Sequence, residues 1–352
     1  MEKAYFAASN SCDGFKNYYG ECFARAERLF IIKGGPGTGK STLMRRVAEV
    51  AEGRGYYTER YYCSSDHTSL DGVLFEGESG CVGIIDGTFP HPYVEKLPGL
   101  CEEIVNTGGF WDRKILKARG EEIRQLCAEK SRYYGAAYAY LRACGNLRAV
   151  CSSYELQGLD GEKMTGAVTR IAKRIPDGDG FLSTPALVNC IGMLGRAHLS
   201  SFEEQADRIY IISGGAAGGV LLSDILSVAK QKKLKVRVAY HPIYHRELEG
   251  VYFEASRLWF ALEDALPSDT AQRHENKVTP INMKRFCADG DASSKREKKY
   301  CRRLSEACID GALSQLARAG ECHFGLEECY KSAMDFSALE EYSERLIKRI
   351  FE

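Results

Sequence analysis

The chain has 352 residues, which at about 150 residues per domain suggests two domains. Its 48 Lys and Arg residues balance its 48 Asp and Glu residues, and this zero net charge argues against nucleic acid as a partner. Apolar stretches fall far short of the about 20 residues that a membrane helix needs, which argues against a membrane partner. The 14 cysteines form no CxxC pair and no signal peptide is visible, so we expect reduced thiols and a cytoplasmic location.

A phosphate-binding loop is predicted near the N-terminus. Residues 28–33 (RLFIIK) are typical of a short buried strand, and residues 34–41 (GGPGTGKS) match the Walker A pattern G-x-x-x-x-G-K-[ST] without a mismatch. A helical apolar pattern follows, so the glycines lie where backbone N–H groups can surround phosphate oxygens at a helix N-terminus. The residues predicted to bind the nucleotide are Gly34, Gly35, Pro36, Gly37, Thr38, Gly39, Lys40, Ser41 and Thr42.

The predicted cofactors are ATP and Mg²⁺. We expect Lys40 to act in catalysis by reaching the β- and γ-phosphates, and the Ser41 hydroxyl to bind the metal. Residues 81–86 (CVGIID) are typical of a later strand that ends in an acidic residue, and Asp86 is therefore the second predicted metal ligand. No Glu follows Asp86, which disfavours a motor protein.

Two further side chains are candidates for catalysis at the same edge of the sheet. Residues 55–63 are typical of a strand, and the alternation of strand, helix and strand predicts a parallel sheet that binds ligands at the carboxyl ends of its strands. Asp66 follows this strand and His91 follows Asp86, so we name Asp66 first and His91 second to orient water or an acceptor hydroxyl. The alternative is that Asp66 caps a turn and that His91 is a surface or structural residue.

The chain also repeats itself. Residues 28–39 align with residues 208–219 at six identities in twelve, and residues 66–76 align with residues 244–254 at six in eleven. The offsets of 180 and 178 predict a tandem duplication with domains 1–178 and 179–352. Predicted helices over 113–150, 295–318 and 323–350 either cover the site as a lid or join the halves, and a further helix is predicted over 162–175.

The second copy has lost the side chains of the motif. Val220 and Leu221 stand where the first copy has Lys40 and Ser41, so we expect no productive ATP site there, although its glycines can leave a backbone nest. The second domain is then either a scaffold or the source of a residue for the first site. Arg246 and Arg257 are the candidates for that residue.

These motifs resemble a known bacterial family. GGPGTGKST, LDGV (residues 70–73), IDGTFPH (residues 85–91) and LPG (residues 97–99) are similar to a largely uncharacterised family of tandem P-loop ATP-binding proteins. The resemblance covers most of the chain and implies nucleotide use but no particular substrate. In that family the second half often keeps a recognisable phosphate loop, from which GGAAGGVLL departs.

The predicted fold class is α/β, with tandem duplicated P-loop NTPase-type parallel sheets and helical insertions. The first domain carries the intact Walker A motif, and the second is a degenerate repeat with C-terminal helices. The predicted function is ATP hydrolysis in the N-terminal lobe coupled to a change between the lobes, with an unidentified small molecule or protein as a further partner. Two alternatives stay open, namely a small-molecule or nucleotide kinase and a nucleotide-binding switch or adaptor with negligible turnover.

Overall fold

A computed structural model describes residues 3–78, 80–89, 93–287 and 292–352. It is an α/β protein with two six-stranded, mostly parallel sheets, which confirms the predicted fold class. The elements of the first half are β1 (Lys3–Phe6), β2 (Ala8–Ser11), β3 (Gly14–Asn17), α1 (Tyr19–Cys22), β4 (Arg28–Lys33), α2 (Lys40–Gly53), β5 (Tyr57–Tyr62), β6 (Leu70–Gly77), β7 (Gly80–Asp86), β8 (Glu102–Asn106), α3 (Arg113–Ala118), α4 (Gly120–Glu155) and α5 (Gly161–Ala172).

The second half repeats this series. It begins with an edge strand and a hairpin, continues with the strands of the second sheet, and ends with a long helix and a shorter one. Its elements are β9 (Leu182–Pro185), β10 (Asn189–Gly192), β11 (Gly195–His198), α6 (Ser201–Gln205), β12 (Arg208–Ser213), α7 (Gly215–Gln231), β13 (Lys235–Tyr240), β14 (Leu248–Phe253), β15 (Leu258–Leu262), α8 (Thr270–Arg273), β16 (Val278–Asn282), α9 (Ala292–Lys331) and α10 (Phe336–Ile350).

The two sheets have the same topology. The strand order is β1-β5-β6-β7-β4-β8 in the first sheet and β9-β13-β14-β15-β12-β16 in the second. Each strand of one order has its counterpart at the same place in the other. This is the arrangement that a tandem duplication produces, and it extends well beyond the two short segments that align in sequence.

One strand in each sheet departs from the expected parallel arrangement. Strand β6 runs antiparallel to β5 and β7, and β14 runs antiparallel to β13 and β15. Gly77 at the end of β6 pairs with Gly80 at the start of β7. Only two residues lie between these glycines, whereas a parallel pair requires a crossover of about a dozen or more, so the two strands form an antiparallel hairpin.

The sheets pack face to face, and helices cover their outer faces. Alternate residues of β4 point to opposite sides, so Phe30 and Ile32 pack under α2 and α10 while Leu29 and Ile31 face the second sheet. The core between the sheets contains residues of both halves, among them the fully buried Phe202 and Trp259. The two halves therefore share one hydrophobic core.

The last helix of each half packs on the other half. Met164 and Val168 of α5 belong to the core around α7, and Leu346 and Ile350 of α10 belong to the core around α2. Helices α4 and α9 run antiparallel along each other and carry the chain from one half to the other. This exchange brings the end of the second half to the P-loop motif of the first.

The long helices and the cysteines bear on the expectations that no helix spans a membrane and that the thiols are reduced. Helices α4 and α9 have 36 and 40 residues, yet none of the helices in the described residues is apolar enough over a sufficient length to cross a membrane. All 14 cysteines are free thiols.

A buried ion pair joins equivalent positions of the two halves. Glu59 on β5 and Arg237 on β13 occupy matching places in the two sheets, and their carboxylate and guanidinium groups are 2.6 Å apart. Tyr57 and Tyr61 donate hydrogen bonds of 2.8 Å to the Glu59 carboxylate. Burial alone would raise the pKa of Glu59, but Arg237 and Arg25 outweigh it and hold that pKa below its usual value.

We expect Glu59→Gln to lower the free energy of unfolding by about 3 kcal/mol, because it removes the buried carboxylate that pairs with Arg237 and leaves that guanidinium only the partly exposed Glu254 as an anionic partner. The control is Glu306→Gln, which breaks an exposed ion pair with Arg196. The Arg196 and Glu306 side chains are 54% and 63% accessible, so this substitution should cost at most about 1 kcal/mol. Urea unfolding of both variants measures the difference. Equal losses in the two variants would show that the buried pair does not hold the halves together.

Candidate functional site

The segment that matches the Walker A pattern, here called the first loop (residues 34–41), leaves β4 and enters α2. Gly37 and Gly39 have φ angles of +70° and +76°, in the left-handed region that favours glycine. A Cβ atom at Gly37 would lie 2.8 Å from the carbonyl oxygen of Glu327 on α9. The first loop therefore needs glycine both for its turn and for its contact with the second half.

Three threonines fix the backbone of the first loop. The Thr38 hydroxyl donates to the carbonyl of Gly35 at 2.9 Å, and the Thr107 hydroxyl donates to the Thr38 oxygen at 3.1 Å. The Thr88 hydroxyl donates to the carbonyl of Gly34 at 2.8 Å. These hydrogen bonds hold the loop in shape without a ligand, which reduces the ordering cost of binding one. The motif pointed to Thr38 alone, because Thr88 and Thr107 come from other strand ends.

The predicted catalytic lysine lies over the first loop. The Lys40 ammonium donates to the carbonyls of Gly35 at 2.7 Å and Gly34 at 3.2 Å, and it lies 3.6 Å from the Asp86 carboxylate. The Ser41 hydroxyl oxygen accepts a hydrogen bond from the backbone N–H of Leu70 at 2.9 Å. The structure thus brings the lysine of the motif together with the predicted acidic partner.

Asp86 reaches this place because β7 lies beside β4. Asp86 is paired in register with Ile32, two positions before the first loop begins, and its carboxylate accepts a hydrogen bond of 2.8 Å from the N–H of Thr88. Ser41 and Asp86 line the same cavity. Hydroxyl and carboxylate oxygens are the ligands that Mg²⁺ prefers, so the predicted metal ligands fit that ion chemically.

The first loop forms one wall of a cavity of about 880 Å³. This volume is near the upper end of the range of about 300–1,000 Å³ for small-molecule sites. Other walls come from the segment after β5, from α4, and from α9 and α10 of the second half. Its polar and aromatic lining outside the first loop includes Phe15, Asn17, Ser65, Asp66, Asp71, Asp86, Thr88, Phe89, Lys130, Tyr134, Tyr138, His323, Glu327, Lys331 and Phe336.

The two further catalytic candidates have different outcomes. Asp66 lines the cavity as expected, but its carboxylate accepts hydrogen bonds from the N–H of Thr68 at 3.0 Å and from its hydroxyl at 2.6 Å. It therefore also caps the turn after β5, which was the alternative interpretation. His91 lies outside the described residues.

Asp71 is a carboxylate of the cavity that the sequence analysis did not assign. It is 4% exposed and stands at the start of β6. Because Gly72 pairs with Ile85, Asp71 lies beside Asp86 across neighbouring strands. One feature of the sequence pointed to Asp71. The aligned segments 66–76 and 244–254 both carry an acidic residue at this position, which is Glu249 in the second copy.

The second half contributes side chains to the first site, but not the predicted ones. His323, Glu327 and Lys331 recur every four residues along α9 and line the cavity. Contacts with His323 and Lys331 lower the pKa of Glu327 to about 2, so this carboxylate is charged at neutral pH.

The two arginines named from the sequence do not line the cavity. Arg246 pairs with Asp13 at 3.0 Å and Arg257 with Asp207 at 3.1 Å, both on the surface. Their assignment to the first site was wrong because acidic neighbours in the fold satisfy them elsewhere.

The equivalent second loop (residues 214–221) is closed. Six residues separate β4 from α2, but only Gly214 separates β12 from α7. Leu221 and Leu262 stand where the first half has Ser41 and Asp86, and both belong to the hydrophobic core around α7. The expected glycine nest is not left open, because residues 215–219 have become the first turns of α7.

A carboxylate of the protein occupies the start of α7. Glu155, the last residue of α4, accepts a hydrogen bond of 2.8 Å from the N–H of Ala216. Arg148 lies 3.5 Å from the same carboxylate, and Arg302 pairs with its other oxygen. Burial would raise the pKa of Glu155, but Ala216, Arg302 and Arg148 together lower it. An internal anion thus lies at the N-terminus of α7, where the helix dipole and the free N–H groups favour negative charge.

Comparisons with family models, with curated proteins and with solved structures find no match to this chain. The family resemblance therefore stays a prediction.

We expect Glu155→Gln to lower the free energy of unfolding at pH 7 by about 1–2 kcal/mol, since it weakens a charged hydrogen bond whose partner Arg302 is partly screened by solvent. The pKa of Glu155 is lowered by folding, so its stabilisation is present above its unfolded pKa of about 4.3 and disappears as the pH falls through the folded value. Chemical denaturation of the unsubstituted protein and of Glu155→Gln from pH 7 to pH 3 should show that the difference in their free energies of unfolding shrinks toward zero.

A difference in the free energy of unfolding that grows in acid would contradict a charged Glu155. The control, Glu121→Gln in an exposed pair on the same helix, should cost at most about 0.5 kcal/mol.

Proposed function

We propose that the protein binds Mg²⁺–ATP at the first loop and hydrolyses it there, and that the second loop binds no nucleotide. One observation carries this proposal. Lys40, Ser41 and Asp86 line one open cavity, whereas their counterparts Val220, Leu221 and Leu262 lie in a hydrophobic core or pack against it. An ammonium, a hydroxyl and a carboxylate beside a helix N-terminus are the groups that hold a triphosphate and its metal.

Binding would exchange internal contacts for contacts with the ligand. The Lys40 ammonium now donates to two carbonyls of the first loop, and these are weak partners beside the β- and γ-phosphate oxygens of ATP. Ser41 and Asp86 would hold the metal ion, which would supply positive charge to the triphosphate. The threonines that brace the loop keep its backbone in place during this exchange.

Hydrolysis requires little beyond charge stabilisation and positioning. The oxygen of a water molecule forms a bond to the γ-phosphorus, the bond to the β–γ bridging oxygen breaks, and ADP and phosphate result. Asp66 and Asp71 line the cavity and are the carboxylates that this proposal assigns to orient the water and take its proton. Lys40 neutralises the charge that develops on the leaving oxygen.

The helices supply a route by which the nucleotide can act on the second half. The end of α9 touches Gly37 of the first loop, and near its start the Arg302 side chain pairs with Glu155 at the second loop. A displacement at one end of this 40-residue helix is transmitted to the other because helix packing is stiff. This contact supports the predicted coupling between ATP hydrolysis and a change between the lobes.

A phosphotransferase is the second candidate, and the extent of the cavity favours it. The cavity of about 880 Å³ is lined by Lys130 and Tyr134 on α4 as well as by the first loop, which leaves room for an acceptor beside the nucleotide. Phosphate release in the absence of any acceptor separates the two. Steady release supports the hydrolase, and release that depends on an added metabolite supports the transferase.

We expect Lys40→Ala to lower ATP turnover by about 10²–10³-fold, because the site loses its central positive charge. The companion variant Val220→Lys should leave the binding stoichiometry at one nucleotide, since the second loop stays closed by Glu155. Calorimetric titration with ATP and a phosphate-release assay measure both. Unchanged nucleotide affinity and rate in Lys40→Ala would refute the assignment of the site.

We expect Asp86→Asn to raise the Mg²⁺ concentration needed for half-maximal turnover at least tenfold, because an amide is a much poorer metal ligand than a carboxylate. The variant keeps an oxygen that can accept from Thr88 N–H, so the loop should retain its shape. The control is Asp207→Asn on the surface, which should leave the Mg²⁺ dependence unchanged. The same Mg²⁺ dependence in both variants would remove Asp86 from the metal site.

A further inference from the structure

The cavity wall formed by α4 and α9 holds a lysine that has no anionic partner within 4 Å among the described residues. Lys130 lies on α4, and its ammonium contacts Nδ1 of His323 on α9 at 3.1 Å. No carboxylate oxygen of the described residues lies within 4 Å of it, in contrast to the other two lysines of the cavity: Lys40 lies near Asp86, and Lys331 pairs with Glu327. Burial lowers the pKa of Lys130, because the charged ammonium loses part of its hydration.

The groups around Lys130 orient it toward the cavity. An ammonium can only donate, so Nδ1 of His323 accepts one of its protons and leaves two for another partner. Tyr134 stands one helical turn further along α4 and also lines the cavity. Its hydroxyl has only a long contact of 3.4 Å to Ser65, and burial raises its pKa to about 12, so it remains a proton donor.

The nucleotide alone does not account for this arrangement. In the proposed site Lys40, the N-terminus of α2 and a metal ion already neutralise the triphosphate. Lys130 belongs to a different wall, built by α4 and α9 rather than by the first loop. A half-buried ammonium on that wall matches a second negative charge in the same cavity.

We infer that the cavity wall at Lys130 and Tyr134 is a subsite for the anionic group, carboxylate or phosphate, of a second small-molecule ligand that binds beside the nucleotide. This inference rests on the proposed function for the identity of the neighbouring ligand. The volume of about 880 Å³ accommodates two ligands within the range of known small-molecule sites. The subsite would give a phosphoryl acceptor or an effector its orientation through a charge-assisted hydrogen bond.

The test uses the full chain saturated with Mg²⁺ and a non-hydrolysable ATP analogue, so that the first loop is filled. Inorganic phosphate and malonate are then titrated separately while the melting temperature is recorded. We expect one of the two anions to give saturable stabilisation, and the identity of that anion distinguishes a phosphate from a carboxylate ligand. In Lys130→Met the binding of this anion should weaken at least tenfold, and in Tyr134→Phe a few-fold.

The control is Arg142→Met, which removes an exposed cation from the same helix and should leave anion binding unchanged. Absence of saturable binding in the unsubstituted protein, or equal anion binding in Lys130→Met, would overturn the inference. So would a loss of analogue affinity in Lys130→Met, since it would place Lys130 in the nucleotide site. If the analogue itself fails to bind the unsubstituted protein, the proposed function fails, and the same titrations without nucleotide still decide whether Lys130 binds an anion.

Discussion

The contact between the end of α9 and Gly37 is the constraint on which the candidate site depends. Because the last helices of the two halves are exchanged, the second half closes the cavity over the first loop and adds Glu327 and Lys331 to its wall. The first half alone would present an open loop on a sheet edge. Substituting Gly37 would push α9 away, since a Cβ there meets backbone that cannot yield. The site is thus a property of the whole duplicated chain.

Duplication within one chain allows two equivalent positions to diverge. Glu59 and Arg237 hold matching places in the two sheets and form an ion pair that two identical residues could not form. The two loops diverge in the same way. One keeps its glycine turn and its lysine, and the other has become helix, with the carboxylate of Glu155 as a permanent anion at its N-terminus. One half therefore offers a ligand site while the other offers rigidity.

The sequence predicted the features that local pattern determines. The Walker A motif, the strand before it and the rule that parallel strands end at one edge suffice to bring Lys40 and Asp86 together. The sequence did not predict contacts between distant elements. Thr107, which follows β8, donates a hydrogen bond to Thr38 of the first loop, and Glu327 of α9 packs against Gly37. Asp71 was missed because no motif rule names a carboxylate on an antiparallel neighbour strand. The sequence left a backbone nest at the second loop open, because sequence alone does not show that residues 215–219 are helical and that Glu155 lies at the helix N-terminus.

A crystal structure of the full chain with Mg²⁺ and a non-hydrolysable ATP analogue tests the central claim most directly. The account predicts one triphosphate in the cavity between the first loop and the end of α9, with the Lys40 ammonium turned from the loop carbonyls to the phosphates. It also predicts no nucleotide at α7, where Glu155 stays bound to Ala216. A nucleotide at the second loop, or a first loop that remains empty at saturating ligand, would contradict it.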